Sequence, residues 1–178
     1  MTEAGMTFSD LLEDAFGRVQ QGLGAVLEGL SAEQLEYQPA PGSNTIAWLA
    51  WHLTRVQDDH IAAAAGIEQV WTAQGFRERF ALPLPPLDTG YGHSAEQVLA
   101  VRASSDLLAA YHEAVFEQTV GFVRGLVQGD LDRIVDTRWD PPVTLGVRLI
   151  SVIDDDLEHV GQAGYVRGLA ERRETPQQ

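Results

Sequence analysis

The segment Asp155-Asp156-Leu-Glu-His159 sets carboxylates three and four residues before an imidazole. At about 100° per residue on a helix, Asp155 and His159 stand one turn apart on one face, so both side chains can reach one cation. Asp156, at the i, i+3 spacing that helical-bundle metal sites also use, is the rival ligand. Arg148 and Gln162 fall in the same strip as Asp155 and His159, beside an apolar stripe of Leu145, Leu149, Val152, Val160 and Ala163. Polar groups at the margin of a buried face can line a pocket opening off the core. A second imidazole is His52, inside Trp48-Leu-Ala-Trp51-His52-Leu53. It sits on the shoulder of the stripe Ile46, Leu49, Leu53, Val56 and His60, aligned with Trp48 and Asp59, where aromatic neighbours would exclude water.

Two histidines and a carboxylate make a three-ligand site, which leaves coordination positions for water or substrate. Neutral imidazole and carboxylate suit Zn²⁺, Ni²⁺ or Fe²⁺. Such an ion acts as a Lewis acid and lowers the pKa of a coordinated water or thiol. Each imidazole needs an acceptor for its other ring nitrogen, and Asp59 and Glu158 are the nearby candidates. The plainer alternative is a solvated run of aspartates, with His159 paired to one of them. His60, nearer the stripe centre, is expected to be structural, and His93 and His112 are lesser candidates. The chain has no Cys, which excludes disulfides, thiolate metal sites and a Cys nucleophile. No Gly-rich phosphate loop follows a strand, and no G-x-S-x-G elbow is present.

The elements that must position these groups read as helices, with no convincing strand pattern. Apolar residues recur at helical spacing from Phe8 to Leu30. Ser31-Ala-Glu-Gln34 is a capping box. Asn44 or Thr45 caps a second long helix that ends near Ala65, with Gly66 as its C-terminal glycine. Residues 66–93 hold three prolines and read as a long crossover, of the kind that lets consecutive helices run parallel. Ser94-Ala-Glu-Gln97 opens a short helical piece, Ser105 a long helix through Val127, and Thr144 a last helix to about Glu171. Between them, residues 128–143 read as a loop. The expected architecture is all-α, a single four-helix bundle over residues 1–178 with a polar tail from Arg172. With 26 acidic against 12 basic residues, the formal charge of −14 offers no basic stripe for nucleic acid. It also disfavours an anionic membrane surface. No apolar run approaches a membrane span or a signal peptide, so a soluble cytoplasmic protein is expected.

The order of several short motifs resembles a known family. Pro-Ala-Pro-Gly-Ser-Asn44 leads into Ile46-Ala-Trp48-Leu-Ala-Trp51-His52-Leu, then Asp58-Asp59-His60, Glu68-Gln69-Val70-Trp71 and Gly90-Tyr91-Gly92-His93. Trp139-Asp-Pro-Pro-Val-Thr-Leu-Gly146 and His159-Val-Gly-Gln162-Ala follow. Over roughly residues 8–170 this set resembles the DinB-like superfamily, in the branch of mycothiol-dependent maleylpyruvate isomerase and related thiol S-transferases. The resemblance implies an up-down-down-up bundle and a metal triad of His52, Asp155 and His159, with Asp where relatives carry His or Glu. It implies a divalent metal, Zn or Ni before Fe, that activates a low-molecular-weight thiol such as mycothiol or bacillithiol. The thiol would attack an electrophilic small molecule, in S-transfer or thiol-assisted isomerisation. Arg148 and Asp59 are expected to act in catalysis, and Arg55, Trp48 and Gln162 to hold the thiol. The alternatives are a metal-dependent hydrolase on the same bundle and a non-catalytic, stress-related metal- or ligand-binding protein. A homodimer is plausible by the same resemblance.

Overall fold

A computed structural model describes residues 5–174. The Thr7 side chain and Asp10 cap each other reciprocally at the start of α1 (Phe8–Leu27). The short α2 (Ala32–Leu35) opens on the expected Ser31 box. For α3 (Ile46–Ala65), the Thr45 hydroxyl accepts from the Trp48 amide. Gly66 ends that helix at φ +69°, a left-handed conformation that favours glycine. The crossover is not plain loop: it folds into α4 (Val70–Ala73) and α5 (Phe76–Phe80). After α6 (Ala95–Ala100), Ser104 caps α7 (Ser105–Arg124). A 3₁₀ turn (Gln128–Asp132) leads to a small antiparallel ribbon of β1 (Ile134–Asp136) and β2 (Val143–Thr144). This ribbon corrects the expectation of no strands. At three and two residues it is too short for alternation to register as a pattern. The last helix, α8 (Leu145–Glu174), runs through the start of the expected polar tail, and 175–178 lie outside the described residues.

Side-chain pairs fix the helix directions. His52 meets His159 while His60 meets Arg148, so α3 and α8 are antiparallel. Thr54 meets His112 and Gln57 meets Thr119, so α3 and α7 run parallel. Gln20 bonds Glu113 while Glu13 pairs with Arg124, so α1 and α7 are antiparallel. The result is the up-down-down-up order, and the two parallel helices require the long crossover.

That crossover changes the burial of α3. Fifteen of its twenty residues are buried, so it lacks the polar outer face of a bundle helix. Trp71, Phe76 and Phe80 from the crossover pack with Trp51 and Tyr111 in one apolar cluster. A second cluster joins Leu12, Phe16, Ile61, Leu145, Leu149 and Val152 at the opposite end. The crossover is tied to α3 through Asp58, which is fully buried. Its carboxylate accepts from the Val70 and Trp71 amides at 2.9 and 2.8 Å and so caps α4.

Within the bundle, the Thr54 hydroxyl donates to the Ala50 carbonyl and accepts from His112 Nδ1 at 3.3 Å. His112 Nε2 is buried without a partner, and burial lowers the imidazole from its ordinary 6.5 to about 4. The unfolded chain therefore binds a proton between pH 6.5 and 4 that the folded chain refuses. The His112 contribution to stability is complete above about pH 6.5 and is lost, by up to roughly 3 kcal/mol, as the pH drops to about 4. Urea unfolding over that range measures it as the difference between wild type and His112→Gln, which should change with pH by that amount.

Candidate metal centre

Helix α3 delivers His52 and helix α8 delivers Asp155 and His159, and one ligand atom from each lies within 4.8 Å of the other two. The His52 and His159 ring centroids are 4.9 Å apart, and His159 Nε2 lies 3.7 Å from Asp155 Oδ1. Bonds of ~2.0–2.1 Å around a tetrahedral ion place ligand atoms about 3.3 Å apart, so modest side-chain closure completes the set. Asp155 Oδ2 is buried and without a hydrogen-bond donor. A buried carboxylate oxygen with nothing to neutralise it is costly, and a cation between two imidazoles would satisfy it. The residues present fit a divalent ion.

Both imidazoles are held with a bare nitrogen toward the cluster. His52 Nδ1 donates to the Thr89 carbonyl in a short contact, leaving Nε2 with its lone pair. His159 Nδ1 donates to Gln162 Oε1 at 3.1 Å, leaving Nε2 beside Asp155. These acceptors replace the expected Asp59 and Glu158. Asp59 instead accepts from Gln69 Nε2 at 2.8 Å, and Glu158 is exposed. Burial, the largest influence, lowers the His52 pKa and keeps the ring neutral, the form a metal needs. Trp48 stacks on His52 at 4.5 Å with planes 13° apart and meets His159 edge-on.

The cluster opens into a cavity of about 490 Å³, whose walls include Asp59, Thr89, Tyr91, Arg138 and Ser151. A second cavity of about 340 Å³ adjoins it through Asp59, His60 and Arg138. Between Arg138 and Arg148 lies Asp136, whose carboxylate accepts from both guanidinium groups. The Arg138 bonds hold Asp136 well below the usual carboxylate range. Arg138 itself is 82% exposed, whereas Arg148 is 15% exposed.

Of the site residues expected from sequence, His52, Asp155, His159, Trp48, Gln162 and Asp59 gather at or beside the cavity. Arg148 lines the adjoining cavity and faces His60 Nε2 at 3.4 Å. Asp156 turns inward, fully buried with both oxygens unpartnered, and burial followed by the Asp155 charge raises its pKa well above the ordinary value. Arg55 faces the crossover, not the cavity. It is fully buried, donating to the Asp88 carbonyl, Tyr111, Gln69 and Asp58. His60 sits at the rim between the two cavities, and His93 and His112 lie outside the ligand cluster. The sequence reading missed Arg138, Tyr91 and Ser151 as cavity walls, and the Thr89 carbonyl, since a backbone oxygen has no residue signature.

A family model described as mycothiol-S-transferase matches residues 11–171 of the chain. The chain is also similar to a crystal structure described as the conserved protein of locus from Enterococcus faecalis. That match has a TM-score of 0.88 and 31% identity, and covers 94% of this chain and 99% of the other. No curated protein matches.

Proposed function

This chain belongs to the mycothiol-S-transferase family, and from that premise we propose that it transfers a low-molecular-weight thiol of mycothiol type onto an electrophilic small molecule. The observation that carries the reading is the convergence of His52, Asp155 and His159 at a cavity wall, with a buried carboxylate oxygen left over. A divalent cation held there would favour the thiolate form of a thiol sharing its coordination sphere. The chain has no cysteine, so the sulfur must arrive with the cosubstrate.

The protein's own groups do the rest. The Thr89 carbonyl and Gln162 fix both rings with bare nitrogens forward. Trp48 covers one side of His52 and keeps water off it. Asp59, on the cavity wall, is placed to take the proton leaving the thiol. Arg138 presents a guanidinium to an acidic group on thiol or electrophile, braced by Asp136 and, behind it, by Arg148. The sulfur then forms its bond to the electrophilic carbon as the leaving group departs with the bonding pair, or as the π pair of an activated double bond moves to the far atom, which takes up the proton released by the thiol.

Elemental analysis followed by a matrix of thiols against electrophiles tests this. The expected result is near-stoichiometric divalent metal and metal-dependent consumption of thiol. Metal-dependent cleavage of esters or amides without thiol would establish the hydrolase instead. Failure to hold metal at micromolar concentration would favour a non-catalytic bundle.

A further inference from the structure

The segment between Asp88 and His93 lies on the back of His52. Gly90 has φ +95°, and a Cβ there would stand 2.8 Å from His52 Nδ1, 3.1 Å from Trp51 Cζ3 and 3.2 Å from Trp48 Cζ2. Only a glycine lets the chain come this close while the preceding carbonyl, Thr89, reaches the ring. Nothing in that contact alone sets where the carbonyl points. Two residues flanking it do. Trp48 Nε1 donates to His93 Nδ1 at 3.0 Å, which leaves the His93 proton on Nε2, facing Asp88 Oδ2 at 3.0 Å. The other Asp88 oxygen accepts from the Gly90 amide at 2.8 Å, and the Asp88 carbonyl accepts from buried Arg55 at 3.0 Å. The His93 side chain is 3% exposed, and Trp51 stacks on it at 5.9 Å. It therefore bridges the helix that carries His52 and the strap that holds His52.

We propose that Asp88–His93 is a positioning strap, in which His93 links Trp48 to Asp88 and so aims the Thr89 carbonyl at His52 Nδ1. His93 is a positioning residue: it lies outside the ligand cluster and acts through Thr89. The consequence for metal binding rests on His52 being a ligand, as argued above, but the effect on the ring does not. An imidazole free in water favours the proton on Nε2, and the strap holds it on Nδ1.

The experiment reads the His52 tautomer in metal-free protein by ¹⁵N–¹H NMR, together with Zn²⁺ affinity by chelator competition. Wild type should show the proton on Nδ1. In His93→Leu the ring should shift toward the Nε2 tautomer, and Zn²⁺ affinity should fall by about 10–100-fold. Glutamine can accept from Trp48 and donate to Asp88, so His93→Gln should restore the tautomer and bring affinity to within about threefold of wild type. Trp48→Phe keeps a stacking ring but no indole donor and should resemble His93→Leu, so it decides the matter if His93→Leu does not fold. A His52 proton that stays on Nδ1 in both His93→Leu and Trp48→Phe overturns the strap. A tautomer that shifts as expected in a protein that binds no Zn²⁺ upholds the strap and removes the metal reading.

Discussion

Replacing His52 and His159 together with alanine is expected to remove bound metal from the purified protein and to stop thiol transfer. The two rings come from different helices, so no local segment chelates without them. Asp155, with its side chain 37% exposed and one oxygen buried, would remain as a single carboxylate, too little to hold the ion. Loss of outer hydrogen-bond partners typically costs a metal site about 10–100-fold in affinity, so loss of two ligands should exceed about 100-fold. Elemental analysis and a competition assay measure it. A variant that keeps wild-type metal content would sink the triad. The fold should survive, because the two apolar clusters that hold the helices together keep all of their side chains. Matching far-UV circular dichroism would therefore show that the ligands, not the bundle, were lost.

The carboxylate separates this site from a run of surface acids. Asp154, Asp155 and Asp156 are consecutive, so they point about 100° apart around α8. Asp154 is exposed and Asp156 is fully buried, while Asp155 falls between them at the cavity edge. Spacing alone leaves Asp155 and Asp156 open as partners of His159, since i, i+4 and i, i+3 both serve. The packing of α8 against α3 decides which of them reaches His52.

Helix periodicity made the long helices legible and capping boxes the short ones, and Gly66 and Thr45 mark α3 where the structure has it. The i, i+4 pair on α8 was legible for the same reason: it depends on one helix only. What the chain hid is tertiary. Arg55 reads as a cation for an acidic group of the thiol. Whether it faces solvent depends on how residues 66–93 fold over α3, and no local pattern encodes that. Arg138 was hidden the other way. It follows β1 in a segment read as loop, and only the ribbon's pairing turns it toward the cavity. Ends of elements were shifted as well. α1 stops at Leu27, three residues before the apolar pattern does, because Leu30 packs into the core from beyond a left-handed Gly29.

Arg55 gives the second large effect. Arg55→Met is expected to destabilise the protein by about 3–5 kcal/mol, the usual cost of removing one partner of a buried ion pair. The guanidinium is fully buried and lies over Trp71 at 5.0 Å. It also binds the Asp88 carbonyl and Gln69, so its loss leaves two half-buried acceptors without this donor. The sharpest loss falls on Asp58, whose carboxylate would keep only Tyr111 and the Val70 and Trp71 amides. Against a total stability of about 5–15 kcal/mol for a typical domain, the shift in a urea midpoint would be large. Removing the stranded charge should recover part of it, so Arg55→Met/Asp58→Asn should be more stable than Arg55→Met alone. The same measurement separates the two roles open to this arginine. A residue that held the thiol's acidic group would raise the KM for thiol and leave the urea midpoint unchanged. A residue that ties the crossover to α3 moves the midpoint first. It alters metal affinity only through the Asp88–Thr89 strap it anchors.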